Sequence, residues 1–218
     1  MPTPSRALLK AGLCIAGSVP VVWLAVGAYR DALGANPIET ITHETGVWAL
    51  RFLLLSLAVT PLRRLFGWNQ LVAYRRMLGL FAFSYAVLHL STWVGLDHFF
   101  DWREMAADVV KRPYVTAGMT GLLCLLPLAI TSTHGWIRRL GRRWTTVHRL
   151  AYVAALAGVI HYWWLVKADV RAPFWYAAVL AVLLGTRLAF RVAPTVVAAR
   201  QARSPCLTSA PHSGERSG

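Results

Sequence analysis

The amino-acid sequence predicts an all-α integral membrane protein, a bundle of six transmembrane helices with both termini cytoplasmic. Three observations carry that prediction. Of the 218 residues, 56% are hydrophobic and only 15% charged, a balance outside the range of ordinary soluble domains. Six apolar stretches, at 9–28, 46–65, 77–96, 114–133, 149–167 and 173–192, approach the ~20 residues that a spanning helix needs. The charges fall between these stretches and separate by sign from one loop to the next.

Taken in order, the first stretch follows Arg6 and Lys10 and has the look of a signal peptide, with Cys14 placed like a lipoprotein cysteine. It is long for a signal's apolar core and five more such stretches follow, so an uncleaved first helix is expected. Leu13 before Cys14 also argues against lipidation. The second stretch carries Arg51 near its outer end and closes on Arg63 and Arg64; the third follows Arg75 and Arg76. Between the fourth and fifth lie Arg138, Arg139, Arg142 and Arg143, with Arg149 at the start of the fifth, and neither basic loop contains an acid. The opposite loops hold Asp31, Glu39, Glu44, Asp97, Asp101, Glu104, Asp108 and Asp169, eight of the nine carboxylates. Positive charge marks the cytoplasmic side, so the first, third and fifth helices run outward. Backbone polar groups must be satisfied within lipid, which requires helices, since the alternating pattern of a closed barrel is absent.

Residues 1–8 form a cytoplasmic N-terminus, 9–192 the membrane domain, and 193–218, rich in Ala, Ser, Pro and Arg, a disordered cytoplasmic tail. No internal repeat is convincing. The net charge of +14 is a topology signal: its basic residues come in short clusters with no nucleic-acid module around them, so no nucleic-acid partner is expected. Cys14, Cys124 and Cys206 lie far apart and support neither a disulfide frame nor a zinc site.

Ionisable groups inside spanning helices are costly and usually face a partner in the bundle interior. Three histidines qualify: His89 in YAVLHLSTW, His148 at the inner start of the fifth helix, and His161 in GVIHYWW. Any one alone could be an interhelical hydrogen bond. Thirteen residues separate His148 from His161, about 20 Å along a helix, so one metal cannot take both. His89 lies as far beyond Arg76 as His161 lies beyond His148, on helices of the same direction, so His89 and His161 share a depth. Two imidazoles at one level on two helices suit opposite faces of one haem iron. Zinc would call for more ligands than these two.

A lower haem at His148 lacks such a match. Arg75 and Arg76 stand where a second histidine of the third helix would be; they suit a haem propionate or an anionic lipid headgroup. His134 is a candidate sixth ligand there, against a solvated loop position. Arg51 either snorkels outward or pairs with a propionate of the upper haem. His43 and His98 fall in outer loops, where a surface role is the default, and His212 in the tail. Trp and Tyr near the segment ends, such as Trp48, Trp93 and Tyr114, read as interfacial anchors.

The runs ITHETGVWALRF, VTPLRRL, RRMLGLFAFSYAVLHLSTW, KRPYVTAGM and LGRRWTTVHRLAYVAALAGVIHYWWLVK together resemble the haem-binding membrane subunits of bacterial periplasmic protein-methionine-sulfoxide reductase systems, the MsrQ or YedZ family. That family is a branch of the ferric-reductase-like transmembrane proteins. The resemblance covers about Leu13 to Arg191. It implies a multi-pass b-type cytochrome of the bacterial inner membrane, with one or two haems b ligated at His89, His148 and His161. It further implies electrons drawn from the quinone pool or a cytoplasmic flavin reductase and passed to a periplasmic molybdopterin-containing catalytic subunit, in a heterodimer that repairs methionine sulfoxide. Such a chain is no enzyme by itself. The family is also described as carrying FMN, which no stretch here places. Ferric reductases have a second histidine on the third helix and a C-terminal flavin and nicotinamide domain; this sequence shows neither. The acidic outer loops, above all DHFFDWREMAADVV, offer the soluble partner a charged docking face. A histidine-lined proton channel or transporter without haem is the alternative, but no carboxylate lies within the spans. A third reading is an assembly factor whose histidines only tie helices together.

Overall fold

The computed structural model describes residues 4–166 and 169–202, and every regular element among them is helical. The order is α1 (Pro4–Tyr29), α2 (Pro37–Phe66), α3 (Val72–Thr92), α4 (Trp102–Lys111), α5 (Pro113–Ile130), α6 (His134–Leu140), α7 (Arg143–Val147), α8 (Leu150–Leu165) and α9 (Arg171–Ala202). A 3-10 turn, Asn69–Leu71, leads into α3, and a π-helical turn, Trp93–Asp97, leads out of it.

Five helical segments are long and apolar enough to cross a membrane: Ala7–Tyr29, Pro37–Phe66, Asn69–Asp97, Pro113–Ile130 and Arg171–Phe190. The sixth expected span falls short by itself. It forms α8, whose 16 residues rise about 24 Å against a hydrocarbon core of about 30 Å. At His148 and Arg149, between α7 and α8, the ladder tightens to i, i+3 bonds while the backbone stays right-handed. The second span begins at Pro37 rather than near residue 46. Polar Glu39, His43 and Glu44 read as loop on hydropathy, but Pro37 in the first turn and the Asn36 cap, whose side chain accepts from the Glu39 N–H at 3.3 Å, start the helix. At the other end α9 continues to Ala202, into the stretch expected to be disordered. The rest of that tail, 203–218, with His212, lies outside the described residues, as do residues 1–3 of the N-terminus.

α2 is the central helix: 56% of its apolar window is buried, against 17% for α1 and 22% for α3 and α5. Its Leu50, Leu53, Leu54 and Leu57 meet Leu78 and Ala82 of α3, Ala154 and Ala155 of α8 and Leu180 of α9. Ala82 and Ala155 are wholly buried, since small side chains let neighbouring helices come close where lipid offers no hydrophobic drive. The two most extensive pairings are the hairpins α2–α3 and α5–α8. Arg187 of α9, a cation within the last span, donates to the Tyr152 hydroxyl of α8 and the Leu57 carbonyl of α2.

The outer segment between α3 and α5 is less acidic in surface than in sequence. Asp101 caps α4 by accepting from the Arg103 and Glu104 N–H groups at 2.9 and 3.1 Å, and Asp108 is buried. Phe99, Phe100 and Trp102 are exposed, alongside Asp97, Asp101 and Glu104. His98, expected at the surface, is buried between Asp108 and Trp93.

Beside Pro20 in α1, the Tyr85 hydroxyl of α3 donates to the Gly17 carbonyl at 2.8 Å and accepts from the Val21 N–H at 3.2 Å. One phenol thus serves both ends of an i, i+4 pair at the point where proline weakens the ladder. Tyr85→Phe is expected to cost about 1–2 kcal/mol, because buried backbone groups lose a partner that lipid cannot replace. A lowered thermal unfolding midpoint of the detergent-solubilised protein is the check; an unchanged midpoint contradicts it.

Candidate functional site

Two of the three singled-out histidines meet. The His89 and His161 rings, from α3 and α8, have centroids 6.0 Å apart with planes at 79°. Each ring is held the same way. His89 Nδ1 donates to the Thr42 carbonyl of α2 at 2.8 Å, and His161 Nδ1 donates to the Tyr114 carbonyl of α5 at 2.6 Å. A carbonyl can only accept, so both Nδ1 atoms carry the proton and both Nε2 atoms keep a lone pair.

The rings need room to lean on those helices, and glycine provides it. A Cβ at Gly46 would stand 3.0 Å from the His89 ring, and one at Gly118 would stand 2.8 Å from His161 Nδ1. Both histidines line a cavity of about 260 Å³ between the hairpins. Its polar groups gather at one end, in Thr42, His43, Asp97, Arg112 and Tyr114; Leu50, Leu53, Leu122 and Leu125 line the rest.

The two sides of the cavity repeat each other. Each histidine follows its carbonyl acceptor by 47 residues, and each follows its glycine by 43, from 46 to 89 and from 118 to 161. A single offset of 72, as from 89 to 161, therefore maps one side onto the other. It pairs Thr42 with Tyr114, Leu50 with Leu122, Leu53 with Leu125 and Ala86 with Gly158, all of them lining positions. So the α2–α3 and α5–α8 hairpins form a same-sense repeat, which the sequence read alone does not reveal because few of the paired residues are identical.

The arrangement fits a porphyrin iron. Two imidazoles bound axially to one metal, with bonds of about 2 Å and ring radii of about 1.1 Å, place their centroids about 6 Å apart. Rotation about the common axis leaves the angle between ring planes free. Among the described residues no group of three or more His, Cys, Asp or Glu could hold a bare ion. A macrocycle supplies the remaining four donors itself, and glycine and leucine walls suit its apolar body.

The other candidates lie apart from this cavity. His148 stacks on Trp144 at 3.8 Å and bonds through Nδ1 to the Trp144 carbonyl at 3.1 Å. Among the described residues no second imidazole contacts it: His134 Nε2 is 3.4 Å from Arg76 Nη1. Arg75 and Arg76 accordingly sit at the His148 end. Arg51 is not a lining residue; its Nε donates to the Tyr176 hydroxyl at 2.9 Å and its guanidinium lies 4.6 Å over the Trp48 ring. Position 51 lies about 100° around α2 from Leu50, which turns it towards α9.

The sequence reading missed Thr42, Tyr114, Gly46, Gly118, His43 and Arg112. His43 sits on α2 rather than in a loop, at the cavity's polar end, with Nε2 3.4 Å from the Tyr162 hydroxyl. The equal glycine-to-histidine spacing was the one signal in the sequence that could have found the glycines.

Residues 45–159 match the family described as ferric reductase like transmembrane component. A protein-methionine-sulfoxide reductase heme-binding subunit MsrQ of Herminiimonas arsenicoxydans is 52% identical over 188 residues, covering 85% of this chain and 86% of that one. The MsrQ subunit of Rhodospirillum rubrum is 50% identical over 197 residues, 90% and 93% of the two chains. That of Xanthomonas campestris pv. campestris strain 8004 is 51% identical over 186 residues, 85% of each. No solved structure matches. With paired imidazoles on a repeated hairpin and half its residues shared with these subunits, the chain belongs to the ferric reductase like transmembrane family, in its MsrQ branch.

Proposed function

We propose that the chain is the electron-carrying membrane subunit of a methionine-sulfoxide reductase system and that it holds haem b between His89 and His161. The observation that carries this reading is the pair of tethered imidazoles, 6.0 Å apart and lining one cavity, in a chain so similar to proteins named heme-binding subunits. Bound there, a haem supplies a one-electron couple.

The protein's own part is placement and tuning. The Thr42 and Tyr114 carbonyls fix each ring's tautomer and orientation and make Nε2 a better donor. Gly46 and Gly118 leave space for the rings, and the leucine walls exclude water, which sets the local dielectric around the couple. In this scheme the chain carries electrons and methionine sulfoxide chemistry belongs to a partner. That partner is a periplasmic molybdopterin-containing subunit, and the electrons come from the quinone pool or a cytoplasmic flavin reductase; FMN is a further carrier in this scheme.

The topology follows from charge. With α7 and α8 together as one span, Arg143–Leu165, six spans leave both termini in the cytoplasm of a bacterial inner-membrane protein and place the His89 and His161 level in the periplasmic half. One haem per chain is the favoured stoichiometry, because His148 does not line the cavity and no imidazole contact to it is seen among the described residues.

A pyridine-haemochrome assay on detergent-purified protein tests the reading, with one haem per polypeptide expected and a colourless, haem-free protein refuting it. His89→Ala and His161→Ala are each expected to abolish the reduced-minus-oxidised haem spectrum. His148→Ala is expected to retain it, and loss of one of two haems in that variant would restore the two-haem scheme. Gly118→Val drives carbon into the His161 ring and breaks its Tyr114 bond, so haem content should fall at least tenfold with folding preserved by circular dichroism.

A further inference from the structure

The 72-residue repeat makes the walls of the cavity nearly alike, yet a haem is not alike on its two edges. Three lining residues stand outside the pairing, namely Asp97, Arg112 and Ala154, and two of these are charged. Arg112 is the sole Arg or Lys among the described lining residues. We propose that Arg112 is the cationic subsite for the porphyrin's two carboxylates, and so decides which edge of the macrocycle faces the outer end.

The guanidinium is oriented in advance. Its Nε bonds Asp108 Oδ1 at 3.1 Å, and Nη1 donates to the Tyr114 hydroxyl at 3.1 Å, on the residue whose carbonyl holds His161. Asp108 is fixed in turn by His98, whose Nε2 lies 3.2 Å from Oδ2. Asp108 is thus a positioning residue, buried together with His98, while the Arg112 side chain remains 52% exposed. The Asp97 carboxylate also lines the cavity, 3.5 Å from His98 Nδ1, and would repel an anion, so Arg112 is the group that offsets it at this end. A planar, forked cation next to the cavity's polar end and opposite a leucine-walled interior matches an amphiphilic diacid. Arg51, which the sequence offered either as a snorkelling cation or as a propionate partner of the upper haem, is turned towards Tyr176.

This assignment rests on the haem reading, and the test separates the two. Full-length protein produced without haem is purified in detergent and titrated with iron protoporphyrin IX and with its dimethyl ester. The wild type is expected to bind the diacid about tenfold more tightly, and R112Q to bind both alike while keeping a bis-imidazole spectrum. R112K, which retains the charge without the fork, should keep part of the preference. The haem of R112Q should also be harder to reduce, by about tenfold in the oxidation equilibrium or about 59 mV for one electron. A wild type indifferent to esterification, or an R112Q protein with the wild-type preference and midpoint, overturns the Arg112 subsite and leaves the haem reading intact. No Soret band with either porphyrin in the wild type removes both.

Discussion

Two hydrogen bonds from imidazole to backbone carbonyl constrain everything else at the centre of this protein. Thr42 and Tyr114 each lie near the start of a helix that runs alongside the one carrying the histidine. Because Nδ1 is committed to a carbonyl, the lone pair must be on Nε2, and because the carbonyl belongs to a helix backbone, the ring cannot rotate without giving up a bond that lipid will not replace. Glycine is then required one turn further along each supporting helix, where any side chain would strike the ring. Histidine pair, carbonyl pair and glycine pair form one device built twice.

That duplication explains the architecture around it. α2–α3 and α5–α8 are the tightly packed hairpins, while α1 and α9 contribute little to the cavity. α9 is held against α2 and α8 partly by polar contacts of Arg187 and Tyr176 with groups on those helices, and α1 by the Tyr85 phenol at its proline. Interhelical hydrogen bonds and close packing of small residues do here what hydrophobic burial does in water, since hydrocarbon chains outside the bundle are as apolar as its leucines.

Charge breaks the symmetry that the hairpins establish. The basic loops lie at the His148 end, with Arg75 and Arg76. The opposite end holds a sequence of contacts from Trp93 through buried His98 and Asp108 to the half-exposed Arg112. One of the acids that make that end look like a docking surface, Asp108, is buried in this chain of contacts, and Asp101 caps α4 while staying exposed. Phe99, Phe100 and Trp102 are exposed there together with Asp97, Asp101 and Glu104.

Composition and charge order by themselves determined the helical membrane class, the positions of the apolar stretches and the depth match between His89 and His161. These are one-dimensional properties, fixed by how many apolar residues occur in a row and which charges interrupt them. Helix starts were legible only where capping chemistry was weighed against hydropathy, which is why α2 reaches back to Pro37 and carries His43 to the cavity. The rest was decided by tertiary structure. Whether Arg51 or Arg112 meets the cavity depends on rotation about a helix axis and on which neighbour packs against it, and hydropathy averages over that rotation. Acceptors supplied by backbone carbonyls leave no trace in side-chain identity, so Thr42 and Tyr114 could be any residues with a carbonyl at those places. The repeat stayed hidden for the same reason, since the fold conserves positions and clearances while most of the paired side chains differ.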